Sequence, residues 1–226
     1  MTKCSSYNFI KRLLDVSVAL VALILLMPLL IVVGIILKAT AEGEVLYLQE
    51  RVGFRNDTFK IFKFATMLKN SLNMGTGSIT LEGDFRVTKF GGFLRKTKIN
   101  ELPQLYNILK GDLTLVGPRP VLEQDWRLYS NEIRSRIYDV KPGLTGIGSI
   151  VFRDEEALIS EVKGGGYHEF YKTVIAPYKG KLEMWYQENK SISLDLKLLI
   201  LTALIILIPS NRVHEKWFGD LPKREF

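Results

Sequence analysis

The sequence predicts an α+β protein, mostly helical, in which apolar helices flank a small polar domain. Three observations lead there. From Leu13 to Leu37 the chain reads LLDVSVALVALILLMPLLIVVGIIL, with Asp15 as its only charge. Two short stretches, Val45–Gln49 and Phe59–Phe64, are rich in aromatic and β-branched residues and are separated by a turn-like segment. From Glu101 to Lys110 apolar residues recur at helical spacing. The expected divisions are a membrane-anchoring segment over 1–40, a polar domain over 41–195, and an apolar helix with its tail over 196–226.

A helix over the first apolar run extends roughly 37 Å at about 1.5 Å per residue, against a bilayer core of about 30 Å. Lys11 and Arg12 precede the run and Lys38 follows it, so the asymmetry that orients a spanning helix is weak. Pro28, near mid-run, lacks an amide hydrogen and its ring clashes with the preceding turn, which predicts a kink. On these residues alone two topologies stand level: a spanning helix that tolerates proline, and a re-entrant hairpin with both basic ends on one surface. The freed carbonyls need partners, such as the Ser17 hydroxyl. The run is too long for a cleaved signal peptide. The second run, Leu196–Ile208, contains Lys197 and Thr202 and stops at Pro209. At about 13 residues it is too short to span. It either lies at the interface, anchored by Trp217 and Phe218, or forms an ordinary core helix.

The 226 residues carry a net charge of +7, with a pI near 9.4. That balance favours anionic partners: nucleic acid, acidic head groups or phosphorylated small molecules. Nucleic acid is disfavoured, because no recognition helix, zinc spacing or aromatic stacking pattern is present. One cysteine, Cys4, excludes a disulfide framework, and two histidines, His168 and His214, disfavour a histidine-rich metal site. A bound metal should be a hard, oxygen-ligated ion such as Mg²⁺.

Within the polar domain the two strand patterns form a hairpin around Arg51–Phe54 and Asn56–Asp57, and Lys69–Gly83 reads as a mobile loop. The helix over Glu101–Lys110 places Leu102, Leu105, Tyr106, Ile108 and Leu109 on one side. Pro103 sits in its first turn, Asn100 is the expected N-cap and Gly111 the stop. Trp126–Tyr138 reads as a further helix and Lys141–Gly146 as a turn.

The densest chemistry lies in Arg95–Pro120, RKTKINELPQLYNILKGDLTLVGPRP. Arg95 and Arg119 bracket Asn100-Glu101, and guanidinium groups grip phosphate oxygens two at a time. A helix start at Asn100 adds unpaired amides and the positive end of the helix dipole. Arg86, Lys89, Arg95, Lys96 and Lys98 outnumber Asp84 and Glu101 over residues 84–101. Ordinary capping beside solvated basic residues is the bland alternative. Pro118 and Pro120, which fix the backbone on both sides of Arg119, favour an anion clamp.

This stretch resembles the signature of the bacterial sugar transferases, the monotopic phosphoglycosyl transferases that move a sugar phosphate onto a polyprenyl phosphate. The likeness extends from Lys11-Arg12 to Asp195-Leu196-Lys197. It includes Gln49–Gly53, Lys63–Met67, Arg86–Gly91 and Lys141–Gly146. It implies a re-entrant N-terminal hairpin, a small cytoplasmic catalytic domain with interfacial amphipathic helices, and a location on the cytoplasmic face of the inner membrane. It further implies a UDP-sugar donor, Mg²⁺ on the diphosphate, a polyprenyl phosphate acceptor and release of UMP. Carried over residue by residue, Glu101, Asn100, Arg95 and Arg119 are the catalytic candidates, with Glu101 also the metal ligand. Lys63, Arg86, Lys96, Pro118, Pro120 and Thr145 are the substrate-binding candidates.

The chain departs from the family pattern in three places. Asn100 stands where the family has a nucleophilic aspartate, and a carboxamide is a far poorer nucleophile. Ala65 replaces an arginine, and Ser149 a glutamine. Asn100 has three readings: Glu101 is the acting carboxylate, Asn100 is a replacement that traps substrate, or the protein binds without turnover. The first is preferred. No multi-helix half precedes the catalytic unit, so the chain reads as the small, stand-alone form.

Overall fold

The computed structural model describes residues 2–40, 42–208, 216–224 and 226. The Cys4 side chain, Pro209 and His214 lie outside the described residues. Helix α1 (Thr2–Thr40) continues through Pro28 as one helix, so the expected hairpin is not two separated segments. Its inward stripe, Asp15, Ala19, Val33 and Leu37, is buried, whereas Ile24, Leu25 and Ile35 face outward. It is the one helix among the described residues long and apolar enough to cross a membrane.

Polar contacts seat the start of α1. Thr114 Oγ1 donates to Asp15 Oδ2 (2.6 Å) and the Leu115 amide to Asp15 Oδ1 (2.9 Å). Lys11 Nζ pairs with Asp195 at 2.7 Å. Arg12 donates to the carbonyls of Ile108 (2.6 Å) and Leu109 (2.9 Å), the helix end where a cation is favoured. The far end is seated by packing: Leu30, Val33 and Leu37 meet Phe64, Phe90 and Leu94. Both ends of α1 therefore rest on the same domain.

The strands β1 (Leu46–Val52) and β2 (Thr58–Phe64) pair antiparallel, with Lys63 opposite Tyr47. Arg55 and Asn56 take left-handed conformations in their connection. Helix α2 (Lys89–Lys96) is capped by Thr88, whose Oγ1 accepts the Gly91 amide. The expected helix over 101–110 is split into a tight turn, Ile99–Glu101, and α3 (Gln104–Lys110). Asn100 thus lies inside the turn and is not an N-cap; Pro103 takes that place. Gly111 ends α3 at φ 99°, the left-handed stop that glycine permits.

Next, β3 (Thr114–Val116) pairs parallel with β4 (Gly143–Thr145), so the Lys141–Gly146 turn contains a short strand. This pairing lays the Gly117–Pro120 turn against residues 143–146. A Cβ on Gly143 would stand 2.1 Å from the Gly117 nitrogen, so this approach requires glycine. The helix expected over 126–138 is two, α4 (Glu123–Trp126) and α5 (Asn131–Arg136), because Ser130 turns the chain and caps α5.

After α6 (Ile147–Val151), α7 (Glu155–Ser160) and α8 (Tyr167–Phe170), helix α9 (Ala176–Asn189) crosses the core with Leu182 and Tyr186 buried. Helix α10 (Ile192–Leu207) buries Leu198, Leu201 and Ile205 in the same core and exposes Leu196, Ile200 and Ile206. The second apolar run is thus half core helix. Phe218 is buried against Trp185 and is not an interfacial anchor, whereas Trp217 is exposed.

Candidate active site

An open cleft of ≈ 1910 Å³ is bounded by β1–β2, the residues around Asn100-Glu101, the Arg119 turn, α6–α7 and one face of α10. At its floor Arg119 Nη2 meets Glu101 Oε1 at 3.1 Å. Arg119 Nη1 approaches Ser149 Oγ at 3.3 Å. The turn is held from both sides: the Gly143 amide donates to the Pro118 carbonyl (2.9 Å) and Tyr138 Oη to the Arg119 carbonyl (2.8 Å). Pro118 is buried and serves the backbone. Pro120 reaches the cleft wall and accepts weakly from Arg51 (3.4 Å).

Burial by itself would raise the Glu101 carboxyl, but Arg119, Lys63 and Lys98 outweigh it and bring it down to about 2. Glu101 is therefore ionised throughout the neutral range. Lys63 is brought down to about 7, by burial first and then by the neighbouring Arg51, against the attraction of Glu101. Lys63 and Lys98 form no ion pair among the described residues. Asn100 is buried at the cleft wall, and its Oδ1 has no hydrogen-bond partner. A buried acceptor without a donor is costly and common where a ligand completes the site.

Some expectations are relocated. Arg95 lines the cleft but pairs with Glu156 at the rim, not with Glu101. Lys96 is exposed at the same rim. Thr145 lies at the cleft, its Oγ1 2.8 Å from Thr202 Oγ1, and tethers α10 to the turn.

Arg86 is a correction: its side chain is fully buried and serves as a structural strut. Its Nε and Nη2 bond Asp84, its Nη1 bonds the carbonyls of Ser71, Met74 and Gly77, and its Nη2 also reaches Thr76 and Ile79. No donor is left for substrate. The Lys69–Gly83 loop is accordingly organised around a guanidinium.

The sequence reading missed Glu183, whose Oε1 accepts the Arg119 amide at 3.2 Å. The signal was its position on α9, one turn before buried Tyr186 and on the same face. It also missed the Lys179–Glu155 pair (2.6 Å), which ties α9 to the cleft-lining α7. Asp112 bonds Asn107 and pairs with Lys110, outside the cleft.

Comparison with known proteins places the chain in a family. The family model described as bacterial sugar transferase matches residues 6–209. The chain is 35% identical over 203 residues to the UDP-N-acetylgalactosamine-undecaprenyl-phosphate N-acetylgalactosaminephosphotransferase of Aeromonas hydrophila, covering 89% of this chain and 44% of that protein. It is 36% identical over 199 residues to the uncharacterized sugar transferase EpsL of Bacillus subtilis (strain 168), covering 88% of each. The UDP-glucose:undecaprenyl-phosphate glucose-1-phosphate transferase of Klebsiella pneumoniae is 34% identical over 196 residues, covering 85% of this chain and 39% of that protein. The chain thus spans less than half of the Aeromonas and Klebsiella proteins and most of the Bacillus one. Over residues 6–209, which take in most of α1 and all of α10, this chain belongs to the bacterial sugar transferase family.

Proposed function

We propose that this chain transfers a sugar 1-phosphate from a UDP-sugar to polyprenyl (undecaprenyl) phosphate, releasing UMP at the cytoplasmic face of the bacterial inner membrane. One observation carries the reading: the Arg119–Glu101 pair lies beside the orphaned Asn100 in a cleft flanked by Lys63 and Lys98, and the cleft wall continues onto Leu199, Ala203 and Ile206 of α10. Cations meet a diphosphate at one end, and an apolar wall meets a lipid at the other. The donor is a UDP-linked hexose or N-acetylated amino sugar that feeds capsule, O-antigen or exopolysaccharide synthesis. Its sugar contacts come from the 69–83 loop and residues 143–154.

In the reaction an oxygen of the lipid phosphate forms a bond to the phosphorus that carries the sugar. The bond from that phosphorus to the UMP oxygen breaks, and UMP leaves with the electron pair. Arg119, Lys63 and Lys98 offset charge on the phosphoryl oxygens. Glu101 would hold Mg²⁺ together with the donor phosphates. The orphaned Oδ1 of Asn100, the preceding residue at the cleft wall, is a second hard oxygen, a donor set suited to an ion that takes few protein ligands. When bound, that ion neutralises phosphate charge. The test is UMP release from detergent-solubilised protein given Mg²⁺, polyprenyl phosphate and a panel of UDP-sugars. Asn100 favours a second reading, binding without turnover; UDP-sugar binding with no UMP release from any donor would select it.

Arg119→Ala is expected to lower kcat/KM by about ten- to over a hundredfold, roughly 1.5–3 kcal/mol, through loss of a charge-assisted contact. Arg95→Ala should cost less, since its guanidinium is shared with Glu156. Unchanged kinetics in both folded variants would place the diphosphate elsewhere.

We also read α1 as re-entrant, because Lys11–Arg12 and Leu37 seat on the same domain. In a chain whose Cys4 has been replaced, single cysteines at positions 3 and 42 are both expected to label from the cytoplasmic side. Labelling from opposite faces would refute the hairpin.

A further inference from the structure

Beneath the turn that carries Arg119 lies an acidic side chain with no part in the chemistry above. Glu183 is 3% exposed. Its Oε1 accepts the Arg119 amide at 3.2 Å, and its Oε2 is buried without a hydrogen-bond partner. A Cβ on Gly148 would stand 2.3 Å from Glu183 Oε1. The next residue, Ser149, contacts the Arg119 guanidinium. One carboxylate therefore touches both segments that hold this arginine. A single backbone amide needs only one neutral acceptor, so burying an ionisable group for that purpose alone is wasteful.

We propose that Glu183 is a positioning residue for Arg119. It holds the Gly117–Pro120 turn through the Arg119 amide, and its charge sets the potential behind the guanidinium and so its hold on an anionic diphosphate. This rests on the reading of Arg119 as the diphosphate contact. The titratable and charged groups facing Glu183 are Lys179 one turn back on α9, Arg119 on the turn, and the phenols of Tyr129 and Tyr138. Burial is the main influence and pushes the carboxyl up to about 7, against the Arg119 amide, Lys179 and the guanidinium. Below that value Glu183 is neutral and the clamp keeps its full positive potential. Above it, a buried negative charge opposes the clamp. Lys63 loses its charge over the same interval, so only the difference between wild type and Glu183→Gln isolates Glu183.

The test is calorimetric titration of the detergent-solubilised protein with UDP-glucose, whose diphosphate does not ionise near neutrality, with UMP release and thermal melts measured in parallel. Between about pH 6 and about pH 8, Glu183→Gln should converge with wild type on the acid side and bind about three- to tenfold more tightly on the alkaline side. Gly148→Ala, which drives a methyl group onto Oε1, should weaken binding about tenfold across the range. A purely structural role would move the melting temperature and leave the two pH curves parallel. Parallel curves would overturn the proposal. So would a Glu183→Gln variant that fails to fold alongside a Gly148→Ala variant of unchanged affinity. Normal UDP-glucose binding without UMP release from any UDP-sugar of the panel would overturn the transferase reading and leave this one standing. No binding of any UDP-sugar of the panel by wild type at any pH would overturn both.

Discussion

Replacing Glu101 by glutamine is expected to abolish UMP release, a loss of about a thousandfold or more. The change is nearly isosteric but removes the one charge that pairs with Arg119 at 3.1 Å and that Lys63 and Lys98 also face. An amide supplies neither the anionic ligand for Mg²⁺ nor the counter-charge that keeps three cations in one cleft. The stability cost should stay below the ~3–5 kcal/mol of a fully buried broken pair, because Arg119 keeps a path to solvent. A thermal melt therefore separates a dead enzyme from an unfolded one. Asn100→Asp is the companion. It places a carboxylate where a buried oxygen now lacks a partner, and activity should be retained or raised. If Asn100→Asp switches on an otherwise inactive protein, the chain is a trapped or degenerate form. Full activity in Glu101→Gln would mean that the catalytic centre is elsewhere.

Arg86→Met should act on the fold instead of the chemistry. The arginine is fully buried and its guanidinium joins Asp84 to five residues of the 71–79 loop. Asp84 gains in return, its carboxyl lowered chiefly by the hydrogen bonds from Arg86. Methionine fills similar volume but leaves a carboxylate and several carbonyls without donors. The expected loss is about 3–5 kcal/mol, which for a chain of this size lowers the melting temperature by roughly 10 °C. Arg86→Lys should rescue only part of it, since an ammonium has three donors and no planar fork. A variant that melts normally but no longer binds UDP-sugar would return Arg86 to the substrate site.

Much of this protein was legible without coordinates, because its governing patterns are local. The apolar run that becomes α1, the alternation that becomes β2 and the glycine that ends α3 each depend on neighbours a few residues away. The Arg119 turn was legible for the same reason: two prolines constrain the backbone whatever surrounds it. Helix boundaries were less so. Asn100 read as a cap because Asn before a helical pattern usually is one, but the left-handed Lys98 starts the turn two residues earlier and draws Asn100 inside.

The partners of the charges were decided by tertiary structure alone. Arg86 and Arg119 have the same side chain, and both lie in basic, motif-like surroundings. One is consumed by its own loop and the other faces the cleft, because an arginine's role depends on which acceptors the fold brings within about 3 Å. Glu183 stands 64 residues beyond Arg119, and no local pattern could join them. The sequence by itself determined the charge balance, the family and the elements set by local pattern, namely α1, the β1–β2 hairpin and the end of α3. The parallel β3–β4 pairing and the seating of α9 against the Arg119 turn determined which acid supports which base. Electrostatic partnership is a property of distance and burial, and both come into being only when the chain is packed.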